Sequence, residues 1–251
     1  MTMKLNINDR AALAIKNGSK KVEIRANKKD SGKDYGTLKT NDIIEFNSNN
    51  LDVFYVKVKE VNYYNSLEEL FTMEGTRYTT SSTNDYNEAI NNINKLDGYK
   101  EAIRKNGVYA IHIEYLYSVN TVWEELIEKA NKVRNKREVS SMVSAGQVSA
   151  TILTKDHNIY TGVCIDTTSS LGMCAERNAI ANMITNGENE IIKLVCIDSK
   201  GNVGYPCGIC REYLMQLSKS SKDIEILKNI ENHEIIKLEE LIPNWWGYDR
   251  L

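Results

Sequence analysis

Proline is almost missing from this 251-residue chain, with one residue at position 206 and one at 243. Cysteine is scarce as well: there are five, and none precedes position 164. An odd count confined to the second half, in a chain that opens MTMKLNINDR without a charged-then-apolar leader, excludes a disulfide framework and leaves thiol or metal chemistry. Long apolar runs are absent, so no membrane span is expected and the expected compartment is the cytoplasm. A net charge of −2 excludes a global attraction for nucleic acid. Internal repeats and low-complexity linkers are also lacking. What remains, 41% hydrophobic and 26% charged residues, suits one large or two ordinary domains with real cores.

The pattern along the chain predicts two units, residues 1–117 and 118–251, joined by a short segment near Tyr115 to Asn120. In the first, DIIEFN, DVFYVKVKEV and GVYAIHIEYL alternate apolar and polar residues as strands do, with helical stretches near Arg10 to Asn17 and Ser66 to Met73. This predicts a small α+β barrel. TRYTTSSTNDYNE reads as a polar surface loop leading into a helix around Ala89 to Leu96. The second unit opens with TVWEELIEKANKVRNK, where Val122, Leu126, Ile127 and Ala130 recur at helical spacing. It continues as strand (QVSATILT), turn (KDHN), strand (IYTGVCI), helix, strand (IIKLVCID), helix, an alternation that predicts a layered α/β domain.

The scarce cysteines fall at predicted helix starts in that second unit. CAERNAIANMI places Cys174 at the head of a helix with an apolar stripe through Ala179, Ile180, Met183 and Ile184, and YPCGICREYL places Cys207 and Cys210 at the head of another. Helix N-termini carry partial positive charge and free N–H groups, which favour thiolates. Three thiolates from two helix starts leave a tetrahedral zinc ion one open position, a catalytic rather than a structural arrangement. A lone CxxC also fits structural zinc or redox chemistry. Cys-x-Glu followed 33 positions later by Pro-Cys-x-x-Cys, with a strand between two helices, is far more specific to zinc nucleobase and nucleoside deaminases.

On CAERNAI, PCGICRE, the strand pair VSATILTKDHNIYTGV and the tail LEELIPNWW, the chain from about Asn120 onward resembles the cytidine deaminase family, including its blasticidin S deaminase branch. The resemblance implies a three-layer α-β-α fold on a five-stranded mixed sheet, one Zn2+ per subunit and a homo-oligomer, tetramer or dimer. It implies zinc held by Cys174, Cys207 and Cys210, and Glu176 as proton shuttle between the attacking water, the ring N3 and the departing amine. Arg177 matches the arginine of CAER-type members and is expected to offset the charge of the thiolates, the alternative being an ordinary exposed helix arginine.

The sugar side departs from the family. Where relatives carry Asn-x-Glu, this chain has Cys164 and Asp166. Asp166 and Ala175 are the expected substrate contacts. A Phe-x-Val-Gly-Ala pattern is replaced by Gly146-Gln147-Val148-Ser149-Ala150, which removes the aromatic that would stack on a base. The expected substrate is a free cytosine nucleoside, either plain or modified as in a blasticidin-type compound. Trp245 and Trp246 fit either an aromatic lid or simple packing, and Cys196 on a predicted core strand is expected to be packing.

GSKKVEIR, residues 18 to 25, carries Gly-x-Lys-x-x-Glu-x-Arg and resembles the ASCH family, a PUA-like β-barrel. A strand puts Glu23 and Arg25 on one face, where a carboxylate and a guanidinium can read a polar ring edge or a phosphate. The other reading of this pair is a surface ion pair. Lys20, Glu23 and Arg25 are the expected ligand residues, with RNA or a modified nucleoside as the ligand. Residues 1–117 carry 17 basic and 16 acidic side chains, and only Lys20 to Lys39 is locally basic, with seven against three. That is thin for polynucleotide binding. The favoured function is a free-nucleoside deaminase with an accessory ligand-binding module. The alternative is an RNA-directed deaminase in which the first unit holds the nucleic acid.

Overall fold

A computed structural model describes residues 2–29 and 32–251; Met1, Asp30 and Ser31, which fall inside the expected first unit, lie outside the described residues. The chain divides into two compact units, residues 1–120 and 121–251.

The first unit contains strands β1 (Thr2–Asn6), β2 (Val22–Arg25), β3 (Ile43–Asn47), β4 (Phe54–Tyr64) and β5 (Val108–Ser118) and helices α1 (Asp9–Lys16), α2 (Leu67–Glu74), α3 (Tyr86–Asn94) and α4 (Tyr99–Asn106). The strands form one sheet in the order β1-β3-β4-β5-β2, parallel only between β1 and β3. Alternation along β4 sends Phe54, Val56 and Val58 into a core with Ile44, Phe46 and the buried face of α1. Val22 and Ile24 of β2 join a second core with α2, α3 and α4. The end strands β1 and β2 share no ladder among the described residues, so the expected barrel is an open half-barrel with a seam. Arg25 on β2 reaches across that seam to the Asn6 carbonyl on β1, at 2.8 Å.

Helix α3 begins at Tyr86, three residues before the expected start, because Asp85 accepts a hydrogen bond from the Glu88 N–H and caps it. The sequence reading missed α4. Its start is marked only by Gly98 in the left-handed region (φ 70°), without a side-chain cap.

The second unit contains α5 (Val122–Val133), β6 (Arg137–Ser140), β7 (Val143–Thr154), β8 (Ile159–Thr167), α6 (Ala175–Thr185), β9 (Ile191–Ile197), α7 (Gly208–Met215), β10 (Glu225–Leu227), β11 (Ile235–Lys237) and α8 (Leu238–Leu241). The sheet is mixed and has six strands, in the order β11-β10-β9-β7-β6 with β8 also paired to β7. It exceeds the expected five by one, with short strands of weak alternation, β6 and the β10–β11 pair, at its edges. Ala150 and Ile152 of β7 pack with Ala175, Ala179, Ile180 and Met183 of α6 and with Leu214 of α7. The alternate β7 residues Thr151 and Leu153 point to the opposite face, where α5 packs through Leu126 and Ala130. The layering is the α-β-α arrangement that the resemblance implied.

Helix α6 lies unusually close to β8. A Cβ placed on Gly162 would stand 2.3 Å from the Ala179 nitrogen and 2.4 Å from the Ala175 oxygen. Both are backbone atoms and cannot swing aside. A Gly162→Ala protein is therefore expected to lose about 3 kcal/mol of stability in urea unfolding; a midpoint equal to wild type would contradict the close approach.

Candidate metal centre and a second polar cavity

Helices α6 and α7 begin alike. Their N-cap residues, Cys174 and Cys207, have extended backbone (ψ 153° and 171°), and neither makes the side-chain cap bond that Ser, Thr, Asp or Asn would make. At α7 the N–H groups of Ile209 and Cys210 face the Cys207 sulfur, and at α6 the Glu176 N–H turns to its own carboxyl. Cys174 Sγ lies 3.6 Å from Cys207 Sγ, which lies 3.5 Å from Cys210 Sγ, and all three are within 4.8 Å of one another. Zinc–sulfur bonds of about 2.3 Å in a tetrahedron separate their sulfurs by about 3.8 Å. The three thiols therefore fit zinc without rearrangement.

The thiols differ in character. Burial pushes the Cys174 and Cys210 thiols up from the usual range; Cys207 adds to this for Cys174 while Cys210 opposes it, and the Glu176 carboxylate and the other two sulfurs add to it for Cys210. For Cys207 burial also acts upward, but the backbone N–H groups of Cys210 and Ile209 and the adjacent sulfurs outweigh it, so its thiol is pulled down. Cys210 is buried and Cys207 is exposed, which places the open side of the cluster at the start of α7.

Glu176, two residues after Cys174, is buried at 5% exposure. Burial holds its carboxyl above the usual carboxylate range, partly opposed by hydrogen bonds from its own N–H and from the sulfurs of Cys196 and Cys210. Cys196 is thus more than packing: it lies in the core beneath the cluster, with its thiol against the Glu176 carboxyl. Sequence reasoning missed this because nothing in IIKLVCID shows which face of the strand meets α6. Ala175 is fully buried, backbone included, and its carbonyl packs against Gly162 of β8.

Arg177 donates from Nη2 to the Gly172 carbonyl at 3.1 Å, while its Nε is buried without a partner. An orphaned guanidinium N–H one turn from Cys174 is what an ionised thiolate would satisfy.

The loop before α6 is clipped to β8 by a two-way backbone pair between Ile165 and Met173, each bond 2.9 Å. Even-numbered residues of β8 share the face of Gly162, so Cys164 and Asp166 lie on the α6 side. Cys164 Sγ accepts a hydrogen bond from the Val148 N–H at 3.2 Å, at the irregularity where β7 loses register with β8, and Asp166 is exposed. Gly146, in the place of the family's stacking aromatic, has φ 83°, and a Cβ there would lie 2.1 Å from the Asn135 oxygen. No side chain can be accommodated at that point.

The two tryptophans part ways. Trp245 is buried in the core and Trp246 is 60% exposed, yet both indole N–H groups donate to Glu212 of α7, at 2.8 and 3.0 Å.

In the first unit, Lys20, Glu23 and Arg25 meet at the floor of a cavity of about 210 Å³ beside the seam. Lys20 Nζ donates to the Val22 carbonyl at 2.7 Å and to the Thr79 carbonyl, and sits 3.4 Å from Glu23 Oε2. Arg25 holds Glu23 Oε1 through Nε at 2.9 Å and Nη2 at 2.8 Å. Burial pulls the Lys20 ammonium down, against the attraction of Glu23. The segment Thr79 to Ser82, read from sequence as surface loop, lines this cavity, because the buried Lys20 ammonium fastens it there.

Residues 121–224 match the model of the cytidine and deoxycytidylate deaminase zinc-binding region, and residues 5–116 match that of the ASCH domain. The cytidine deaminase of Mycoplasma genitalium is 30% identical over 97 residues, covering 38% of this chain and 75% of its own. That of Sporosarcina psychrophila is 30% identical over 130 residues, covering 51% and 93%. A crystal structure of cytidine deaminase from Mycobacterium tuberculosis is 26% identical over 50% of this chain and 98% of its own, with a TM-score of 0.42. The chain belongs to the cytidine deaminase family. It is a zinc-dependent deaminase by class. No helix among the described residues is long and apolar enough to cross a membrane.

Purified protein is expected to carry one zinc per chain, lost on Cys210→Ser. Arg177→Gln is expected to weaken zinc binding about tenfold in competition with a chelator; unchanged affinity would leave Arg177 as a helix residue bonded to Gly172.

Proposed function

We propose that this protein deaminates a free cytosine nucleoside, releasing ammonia and leaving the uracil form. The observation that carries the reading is the buried carboxyl of Glu176 beside three sulfurs that converge at zinc-binding distances. Cys174, Cys207 and Cys210 would hold the metal, which when bound supplies the Lewis acidity that makes water a nucleophile at neutral pH. Glu176 then moves protons: it takes one from the attacking water, delivers it to ring N3, and returns one to the amine as it leaves from C4. Its burial suits this work, since a carboxyl whose affinity for protons is raised can both accept and give one. The Cys196 thiol and the Ala175–Glu176 turn of α6 fix where that carboxyl points.

The side chain of Asp166 is assigned to the substrate, as an acceptor for a sugar hydroxyl. Cys164 is already committed to the Val148 N–H and offers that sugar little. With Gly146 also bare, the pocket offers a nucleoside fewer polar and stacking contacts than the family pattern implies. A modified cytosine nucleoside, including one of blasticidin type, fits this looser grip alongside cytidine and deoxycytidine.

We assign Lys20, Glu23 and Arg25 to an accessory ligand cavity in the first unit. A homo-oligomer belongs to the same reading. Val139, Met142 and Leu171, exposed at 61, 61 and 81%, lie on neighbouring segments beside the site and would gain by being covered.

Ammonia release should be measured on zinc-loaded protein with cytidine, deoxycytidine, N4-acetylcytidine and blasticidin S. Glu176→Gln is expected to keep its zinc and lose about 10²- to 10⁴-fold in turnover. Wild-type turnover in that variant would remove the role of Glu176. Deamination of a cytosine in RNA, with none of the free compounds turned over, would replace this reading with the RNA-directed one.

A further inference from the structure

The charges around the cavity of the first unit are unbalanced. Its lining includes three cations, Arg10, Lys20 and Arg25, and one carboxylate, Glu23, which Lys20 and Arg25 already occupy from both sides. The donors of Lys20 go to two backbone carbonyls and to Glu23, so it serves as a fastener for the Thr79 segment and has nothing left to offer a ligand. The excess positive charge lies at Arg25 and Arg10. Arg25 stays fully charged: burial opposes this, but Glu23 and the nearby Tyr99 and Tyr35 outweigh it.

Helix α1 adds to the same side. Asn8 caps only the Ala11 N–H, at 2.9 Å, and the other first-turn N–H groups have no intrahelical partner. Asp9, which would repel an anion there, is turned away to Ser48 and Asn50 and does not line the cavity. The lining also includes Thr80, Ser81 and Ser82, with the Thr80 hydroxyl bonded to the Thr83 carbonyl and the Ser82 hydroxyl accepting from Asn92, and Ile24, Ile93 and Tyr99 supply apolar surface.

We propose that this cavity binds a small phosphate monoester of nucleoside type, with its phosphate at Arg25, Arg10 and the start of α1 and its ring against Ile93 and Tyr99. The proposal deepens, and rests on, the assignment of a ligand cavity to the first unit. A monoester carries a charge of about −1.5 to −2 at neutral pH, which matches the excess. At about 210 Å³ the cavity falls below the roughly 300–1,000 Å³ of drug-sized sites. That size favours one ring and one phosphate over a length of polynucleotide.

Uridine monophosphate, uridine and a single-stranded oligouridine serve as probes because none can be deaminated. Each is titrated calorimetrically into the full-length zinc-loaded chain, and hydrogen exchange locates it. The monophosphate is expected to bind at least about tenfold more tightly than uridine and to slow exchange at residues 9–11 and 80–82. Arg10→Gln, at an exposed position that folding tolerates, should weaken it several-fold, and Arg25→Gln more. Equal affinity for monophosphate and uridine, with protection at 80–82, would overturn the phosphate while leaving a ligand cavity. Protection confined to residues 174–210, or absent for all three probes, would overturn both. Oligouridine protecting 80–82 at lower concentration than the monophosphate would overturn the small ligand in favour of RNA.

Discussion

Three sulfurs brought within 4.8 Å of one another are the constraint on which the second unit turns. Thiolates that close repel, so the arrangement is stable in its working form only around a cation. Much of the neighbouring structure serves to bring them there. Cysteine replaces the usual hydroxyl or carboxylate cap on both α6 and α7, and at α7 the N–H groups of Ile209 and Cys210 face the Cys207 sulfur. Gly162 lets α6 settle against β8 at a distance no other residue allows. The Ile165–Met173 pair fixes the approach of the chain to Cys174. Three thiolates and one dication sum to −1, and the unpartnered Arg177 Nε is the group in place to temper that charge.

The centre of this site was legible in the sequence because its geometry is local. Helix geometry ties Glu176 to Cys174 and Cys210 to Cys207, and the resemblance to the cytidine deaminase family implied that the two helix starts meet. What lay across the sheet was not legible. Cys196 reaches Glu176 only because β9 lies beneath α6 in one register, and period-2 alternation in IIKLVCID gives no sign of that. The fold was read where alternation is long, as in β4, β7 and α5. It was missed where elements are short or begin without a side-chain cap, as in α4, β6 and the β10–β11 pair.

The seam of the first unit shows the same limit from the other side. Gly-x-Lys-x-x-Glu-x-Arg marked three residues, but spacing within one strand said nothing of their partners. Lys20 points to the Thr79 segment, 59 residues away, and so turns a stretch that looked like solvent-exposed loop into a wall. Arg25 reaches Asn6 across the gap between β1 and β2. An open sheet with a buried ion cluster at its edge is costly unless each charge is paired. Here Lys20 and Arg25 share one carboxylate, Glu23, and the surplus is positive.

Charge separates the two halves of the chain. Residues 1–117 sum to +1 and the remainder to −3, a modest difference that becomes sharp at the sites themselves. The sulfur cluster, Glu176 and Asp166 make the second unit's site electronegative even with zinc in place, so a phosphate beside it would meet repulsion. An uncharged nucleoside meets none. The cavity of the first unit has the reverse balance, three cations to one carboxylate, and a neutral nucleoside would leave that excess unanswered. Under the two proposed assignments, electrostatics favours an uncharged nucleoside at the second unit's site and a phosphorylated ligand at the first unit's cavity.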